Sequence, residues 1–464
     1  MAKDNENLVH FSKTFVEGEF RLGFWGFVKK GVGLFNSFFV LRSLSLYQFG
    51  VYQLLLSFYA IASDFFHNIF ASVVSNDLAR FIAEDREDKA KRLFWEYAFF
   101  RVLMGLVPVI AVVSLVRFFS FRYGPDAIMW AYVLSAIFLV DAILSVLLTL
   151  LKINLKFSLL AVRPSFQKLV QGLVLAIFFF FYHLSVTEIF IAQLAGSVFA
   201  VIVVIPTFVK VYKPWRSIQS APGSILEGII FSYGAWEIPG SFTTNLVGKI
   251  RPWLIKFFLN TEAVGIFGAA SMAISLLKDV IPMRTLSALM PRKINEPEKI
   301  KSIFVHGTRF YVAMSLLLVV AGSVIFPVSV NFLFPQYQPS IILFYFLLPT
   351  VVLFAFIKMT NILLVVKRRQ KFIFYQSVFQ QGLGIILIVV FLPTVGILGL
   401  ALAELFGLLI PSIIKYYYLV RTRFIEHIPL KRFFVFDSED KKIFLSAFRH
   451  LLGVLKLRRF IRKK

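Results

Sequence analysis

Apolar residues along most of this chain neither alternate nor keep to one helical face; they run on without a break. Stretches at 127–151, 166–182, 189–209, 310–333 and 341–366 approach or exceed the roughly 20 residues an α-helix needs to cross a hydrocarbon core of about 30 Å. Lipid offers backbone groups no partner, so such stretches are read as spanning helices that satisfy their own N–H and C=O. The same reading places spans starting near residues 22, 51, 94, 127, 166, 189, 227, 264, 307, 341, 372 and 396. The expected fold class is therefore all-α, a polytopic membrane protein with about 12 transmembrane helices. Residues 1–20 carry Lys3, Asp4, Glu6, Lys13, Glu17 and Glu19 with no apolar run. That excludes the apolar region of a signal peptide and predicts a polar cytoplasmic tail.

The pattern repeats. Leu44, Gly50, Val51 and Tyr52 recur as Leu259, Gly265, Ile266 and Phe267, an offset of 215. Gln171-Gly172-Leu173 recurs as Gln381-Gly382-Leu383 at an offset of 210, and Gly23-Phe24-Trp25 as Gly234-Ala235-Trp236 at 211. Three matches in one order at nearly constant offset predict two six-span lobes, residues 1–225 and 226–430. Six is even, so the lobes have the same orientation and form a parallel repeat, with the transport site expected between them. The first and seventh spans carry helix breakers, Gly31 and Gly33 in one and Pro239 and Gly240 in the other. These four residues are the candidate hinges.

Composition agrees with the span count. The chain of 464 residues is 58% hydrophobic and 16% charged, against about 25% charged in a soluble domain. Its net charge of +25 would raise nucleic acid as a partner in a soluble protein. Here the even-numbered connections hold 20 Lys and Arg and the odd-numbered ones hold six. That asymmetry reads as topology, with both termini in the cytoplasm, and no nucleic acid is expected. Residues 431–464 are expected to form a basic amphipathic tail, with Phe444, Phe448, Leu451 and Leu455 on one face. It would lie against anionic lipid headgroups. The sequence has no cysteine, and its six histidines have no metal-ligand spacing. HExxH, Walker and GxSxG signatures are absent too, so neither a cofactor nor an enzyme activity is expected.

Charged residues within spans are costly unless they face a cavity or a partner, which makes each a functional candidate. Lys29, Lys30, Arg251, Lys278 and Arg284 are the candidates for holding phosphate, a role Arg fills through its bidentate fork and Lys as a point charge. Arg101 and Lys358, near predicted span ends, read as snorkelling residues. Asp64, His67 and Asn68 share one face of the second span and, with Glu237 and Asp279, are the candidates for coupling to H⁺ or Na⁺. A polar cluster that joins helices is an equal reading of the first three. Asp141 and Glu404 are further in-span acids.

Residues 41–52, 76–83 and 258–270 resemble the polysaccharide-biosynthesis flippases of the O-antigen and teichoic-acid type. These sit in the superfamily that also holds multidrug and toxin extrusion transporters and lipid II flippases. The resemblance implies two six-helix lobes in a V, alternating access, and a cationic cavity for a lipid diphosphate. Its implied cargo is a polyprenyl-diphosphate oligosaccharide crossing the cytoplasmic membrane for cell-surface polysaccharide synthesis. The alternatives are an ion-coupled multidrug antiporter of the same fold and a membrane saccharide polymerase or ligase. In-span cations outnumber in-span acids, which argues against a cationic drug.

Overall fold

The computed structural model describes residues 25–26, 28–64, 70–231, 248–281, 297–422 and 424–425. Arg284, His67, Asn68, Glu237, Pro239, Gly240 and the basic tail at 431–464 lie outside the described residues. Among those described, every regular element is helical. Among the described residues nine helices are long and apolar enough to cross a membrane, and Leu46–Ala62 is a shorter apolar one. The chain divides into two compact units, Met1–Pro252 and Trp253–Lys464.

The first unit holds α1 (28–43), α2 (Leu46–Ala62), α3 (Ala71–Ala83), α4 (Glu87–Tyr123), α5 (Asp126–Ile153), α6 (Phe157–Phe181), α7 (Val186–Tyr212) and the first turns of α8 (248–258). Helix α5 is its centre, packed against α4 on one side and α7 on the other, and α6 packs against α7. Phe138, Ile137, Leu150 and Leu151 of α5 are fully buried there. The second unit holds the rest of α8, α9 (Thr261–Val280), α10 (Pro297–Leu333), α11 (Pro339–Leu347), α12 (Pro349–Val366), α13 (Gln370–Val395) and α14 (Ile397–Arg421). Here α14 packs against α13, α12 and α11, and α12 also packs against α10. Proline at 349 has no N–H to continue the ladder, which divides α11 from α12 at Leu348.

Many large apolar side chains face outward. Phe121, Phe257 and Phe332 are exposed, an arrangement that would aggregate in water and that suits hydrocarbon. In the apolar window of α5 61% of the residues are buried, against 11% in those of α10 and α13, so α10 and α13 lie toward the outside of their unit.

Local chemistry explains the repeat. Ser45 caps α2, its Oγ accepting from the Gln48 N–H at 3.2 Å while Gln48 Oε1 accepts from the Ser45 N–H at 3.1 Å. Asn260 caps α9 in the same way, with Oδ1 accepting from the Ala263 N–H at 2.7 Å. The recurring Leu…Gly pattern is thus a helix start: leucine, cap, and a buried glycine five residues later. Helix ends repeat as well. Leu155 and Arg368 both adopt left-handed φ, 54° and 55°. Each is followed by an amide reaching back five residues, Lys156 to Leu151 O at 3.1 Å and Arg369 to Leu364 O at 3.0 Å. This turn satisfies the last carbonyls of one helix and starts the next with almost no loop. Asp85, at φ 56°, makes the same turn between α3 and α4.

Candidate functional site

Charged and polar side chains gather in three places. In the first, the Tyr59 O–H donates to Asp141 Oδ2, and Asp141 also hydrogen-bonds Ser197. Arg163 lies close enough to interact electrostatically with Asp141 and donates from Nη1 to Gln167 Oε1 at 3.2 Å. Gln167 donates in turn to Ser197 Oγ at 3.2 Å. The network ties α2, α5, α6 and α7 together through polar groups that partner one another, as lipid favours. Gly196 permits this close approach: a Cβ there would lie 2.8 Å from the Gln167 carbonyl oxygen.

The second comprises two groups of the first unit, one on α1 and α6 and the other on α2 and α8. Lys29 and Lys30 are exposed on α1, whose helix runs on through Gly31 and Gly33. Lys29 has Lys168 of α6 as an electrostatic neighbour. Lys168 donates to Gln171 Oε1 at 2.7 Å, and its carbonyl accepts from Asn36 Nδ2 at 3.1 Å. Asn36 in turn packs against Gly172, where a Cβ would be 2.4 Å from its Oδ1. At the end of α2, Asp64 forms an ion pair with Lys249 of α8, and Ser57 donates to the Lys249 carbonyl. Arg251, one of the phosphate candidates, lies half-buried two residues further along α8.

The third is in the second unit. Lys278 of α9 pairs with Glu404 of α14 at 3.7 Å. The ring of Phe354 on α12 holds two ammonium groups, Lys278 at 6.0 Å and Lys358 at 5.3 Å from its centroid. Lys358 is therefore part of a cluster and not a lone interfacial anchor. Lys415 of α14 is only 3% exposed, and its charged neighbour is Lys358. Asp279 is exposed beside Lys278 in sequence, at the end of α9.

Some expected positions need correction. The connection expected at 152–168 is only Asn154, Leu155 and Lys156, so Arg163 and Lys168 lie on a helix. Arg163, Pro164, Ser165, Gln167 and Lys168 interrupt the apolar run, while the helix continues through them. Lys249, Arg251 and Lys256 likewise lie on α8 and not in a loop. Arg101 does not snorkel: it is 2% exposed, with its guanidinium 5.4 Å from the Tyr97 ring. Arg163 and Lys168 were not legible as site residues because they were expected in a connection, and Lys415 because a cation near a span end has the signature of an anchor. Among the described residues no three side chains gather that could hold a metal ion.

Comparison with known proteins places these clusters in context. Residues 15–294, well over half the chain, match the family described as polysaccharide biosynthesis protein. Among solved structures, the lipid II flippase MurJ in an inward closed conformation superposes with a TM-score of 0.68 at 13% identity, over 89% of this chain and 88% of that one. An inward-facing multidrug resistance MATE family transporter of the MOP superfamily gives 0.63 at 15% identity, over 85% and 98%. A MOP superfamily transporter from Pyrococcus furiosus, described as having a binding pocket of reverse polarity, gives 0.57 at 14%, over 88% and 95%. No curated protein sequence matches. At these identities the structures establish the fold, a polytopic MOP-type membrane architecture, and nothing finer.

Proposed function

The chain belongs to the polysaccharide biosynthesis protein family, and from that premise we propose that it is a flippase carrying a polyprenyl-diphosphate oligosaccharide across the cytoplasmic membrane by alternating access. The observation that carries this reading is the sign of the charges held inside the helices. Lys29 and Lys168 adjoin in the first unit. Lys278, Lys358 and Lys415 outnumber Glu404 in the second. A transporter of cationic drugs needs the opposite sign.

The energetic problem is the headgroup. A lipid diphosphate presents roughly two negative charges, and moving one such ion into a medium of dielectric about 4 costs on the order of 20 kcal/mol in the idealised Born limit. Fixed cations in a wet cavity lower that barrier, while the polyprenyl tail stays in lipid. Lys29, Lys30, Arg251, Lys278 and Arg284 are assigned to the diphosphate. Asp64, His67, Asn68, Glu237 and Asp279 are assigned to coupling, with H⁺ or Na⁺ as the ion. Gly31, Gly33, Pro239 and Gly240 are assigned to the hinges of two lobes, 1–225 and 226–430. Both termini are cytoplasmic in this scheme, and residues 431–464 anchor to anionic lipid. The saccharide then leaves toward the cell surface for polymerisation.

The test is headgroup transfer in reconstituted vesicles carrying a polyprenyl-diphosphate oligosaccharide. Wild-type protein should move it, and Lys30→Glu should reduce the rate greatly without reducing insertion. Transfer by the Lys30→Glu protein at the wild-type rate would remove the phosphate role from α1.

A further inference from the structure

One turn is built three times in this chain, with different charges. Glu84-Asp85-Arg86, Asn154-Leu155-Lys156 and Lys367-Arg368-Arg369 each join two helices through a central residue of left-handed φ, at 56°, 54° and 55°. In each, the third residue's N–H donates five positions back, to the Phe81 carbonyl at 2.9 Å, the Leu151 carbonyl at 3.1 Å and the Leu364 carbonyl at 3.0 Å. The backbone therefore makes no demand for cations, and Leu155 shows that its left-handed position accepts an apolar side chain. All three are even-numbered connections, so topology alone would treat them alike. Their net charges are nevertheless −1, +1 and +3. The excess at 367–369 has another cause.

Lys371 in the first turn of α13 and Arg421 at the end of α14 add to it, and the stacked rings of Phe372 and Tyr418, 3.7 Å apart, hold those two helix ends together. Among the described residues none of these five cations forms an ion pair, whereas Arg86 in the first turn pairs with Glu84 at 3.4 Å. Phe424, just past α14, lies against two of them, with Lys367 at 5.5 Å and Arg369 at 5.2 Å from its ring centroid. The ring holds two like charges in place. Arg368, Arg369, Lys371 and Arg421 are exposed. Further along α13 the surface changes character. Lys371, Tyr375 and Val378 share one face at i, i+4 and i+7, with Phe374 and Phe379 beside it. Tyr375 is 70% exposed and the three apolar side chains between 38% and 45%. Cation, then phenol, then apolar side chains is the order in which a protein meets a phospholipid from phosphate to acyl chain. A free phosphate or an acidic peptide would engage the cations alone.

We propose that the α12–α13 turn binds an anionic phospholipid of the cytoplasmic leaflet, its phosphate held by Lys367, Arg368, Arg369 and Lys371 and its acyl chains lying along α13. The site involves neither the cargo nor the basic tail at 431–464, so it stands apart from the flippase reading.

The experiment uses the purified full-length chain in a neutral detergent, titrated with dioctanoyl phosphatidylglycerol and, as the control without net charge, dioctanoyl phosphatidylcholine. Native mass spectrometry counts the bound lipid. Wild-type protein should prefer phosphatidylglycerol by about tenfold or more. The variant carrying Arg368→Gln, Arg369→Gln and Lys371→Gln should lose that preference. Lys371→Gln alone, which leaves the turn untouched, should reduce it about fivefold. Lys156→Gln, at the equivalent turn of the first unit, should leave it within about twofold of wild type. No preference in the wild type, a preference that survives in both second-unit variants, or an equal loss in Lys156→Gln would overturn the proposal. Two soluble competitors test the occupant. Neither glycerol 3-phosphate nor hexaglutamate should displace phosphatidylglycerol at equal concentration; displacement by the first would make the turn a free-phosphate site, and by the second a surface for an acidic protein segment, and either would end the phospholipid assignment.

Discussion

Removing the Glu96 carboxylate should loosen the segment that follows α7. That segment is strapped along the start of α4: Lys91 Nζ donates to the Ile218 carbonyl at 2.7 Å, the Ala221 N–H to the Asp88 carbonyl at 3.2 Å, and Arg92 Nε to the Gly223 carbonyl at 3.1 Å. Glu96 Oε2 accepts two N–H bonds, from Ile225 at 3.0 Å and Leu226 at 2.8 Å, and Oε1 accepts from Arg92 at 2.7 Å. Each bond to a charged acceptor is worth about 1.5–3 kcal/mol. The Arg92 pair is 42% exposed on its basic side and adds under about 1 kcal/mol. Bonds sharing one carboxylate are not additive, and Trp215, Leu226 and Ile229 stay buried on the α3–α4 face. We therefore take about 3 kcal/mol as the loss of local stability in Glu96→Ala, which corresponds to roughly a hundredfold in the opening equilibrium. Amide hydrogen exchange reads this directly. Ile225 and Leu226 should exchange about a hundredfold faster, with the core of α5 unchanged. Glu96→Gln keeps an acceptor without the charge and should cost about tenfold. Unchanged exchange at Ile225 and Leu226 in folded Glu96→Ala protein would refute the reasoning.

Other substitutions test other parts of the molecule. Gly399→Ala would set a Cβ 2.1 Å from the Phe391 carbonyl oxygen, a backbone atom that cannot turn aside; thermal unfolding should show a loss of about 3 kcal/mol or more. Gly31 and Gly33 have open space around them, so alanine at either should leave stability intact or raise it by up to about 1 kcal/mol. Slowed transport in those variants would support the hinge role, and wild-type rates would end it. Leu155→Gly should stabilise the protein by roughly 1 kcal/mol by relieving a left-handed leucine, measured as a raised Tm. Asp64→Asn keeps the side chain's shape and should abolish ion-coupled transport while sparing substrate binding; unchanged transport would leave Asp64 as the tie to Lys249.

Some span boundaries were legible in the sequence because crossing lipid is a local requirement, although α4, α6 and α10 begin seven to ten residues before the starts expected at 94, 166 and 307. A helix must bring its own run of apolar residues and its own cap, so expected starts at 127, 189, 341 and 372 fall within three residues of helices starting at 126, 186, 339 and 370. The repeat was legible for the same reason, since Ser45 and Asn260 act on amides within three residues. The kinship signalled by residues 41–52, 76–83 and 258–270 also needed no contacts. What the sequence could not supply was partnership. Asp64 finds Lys249 across 185 positions, and Lys278 pairs with Glu404 on another helix. Lys415 has the sequence signature of a span-end anchor, and only the packing of α14 against α12 buries it beside Lys358. Charge energy depends on distance and on water, and the fold decides both.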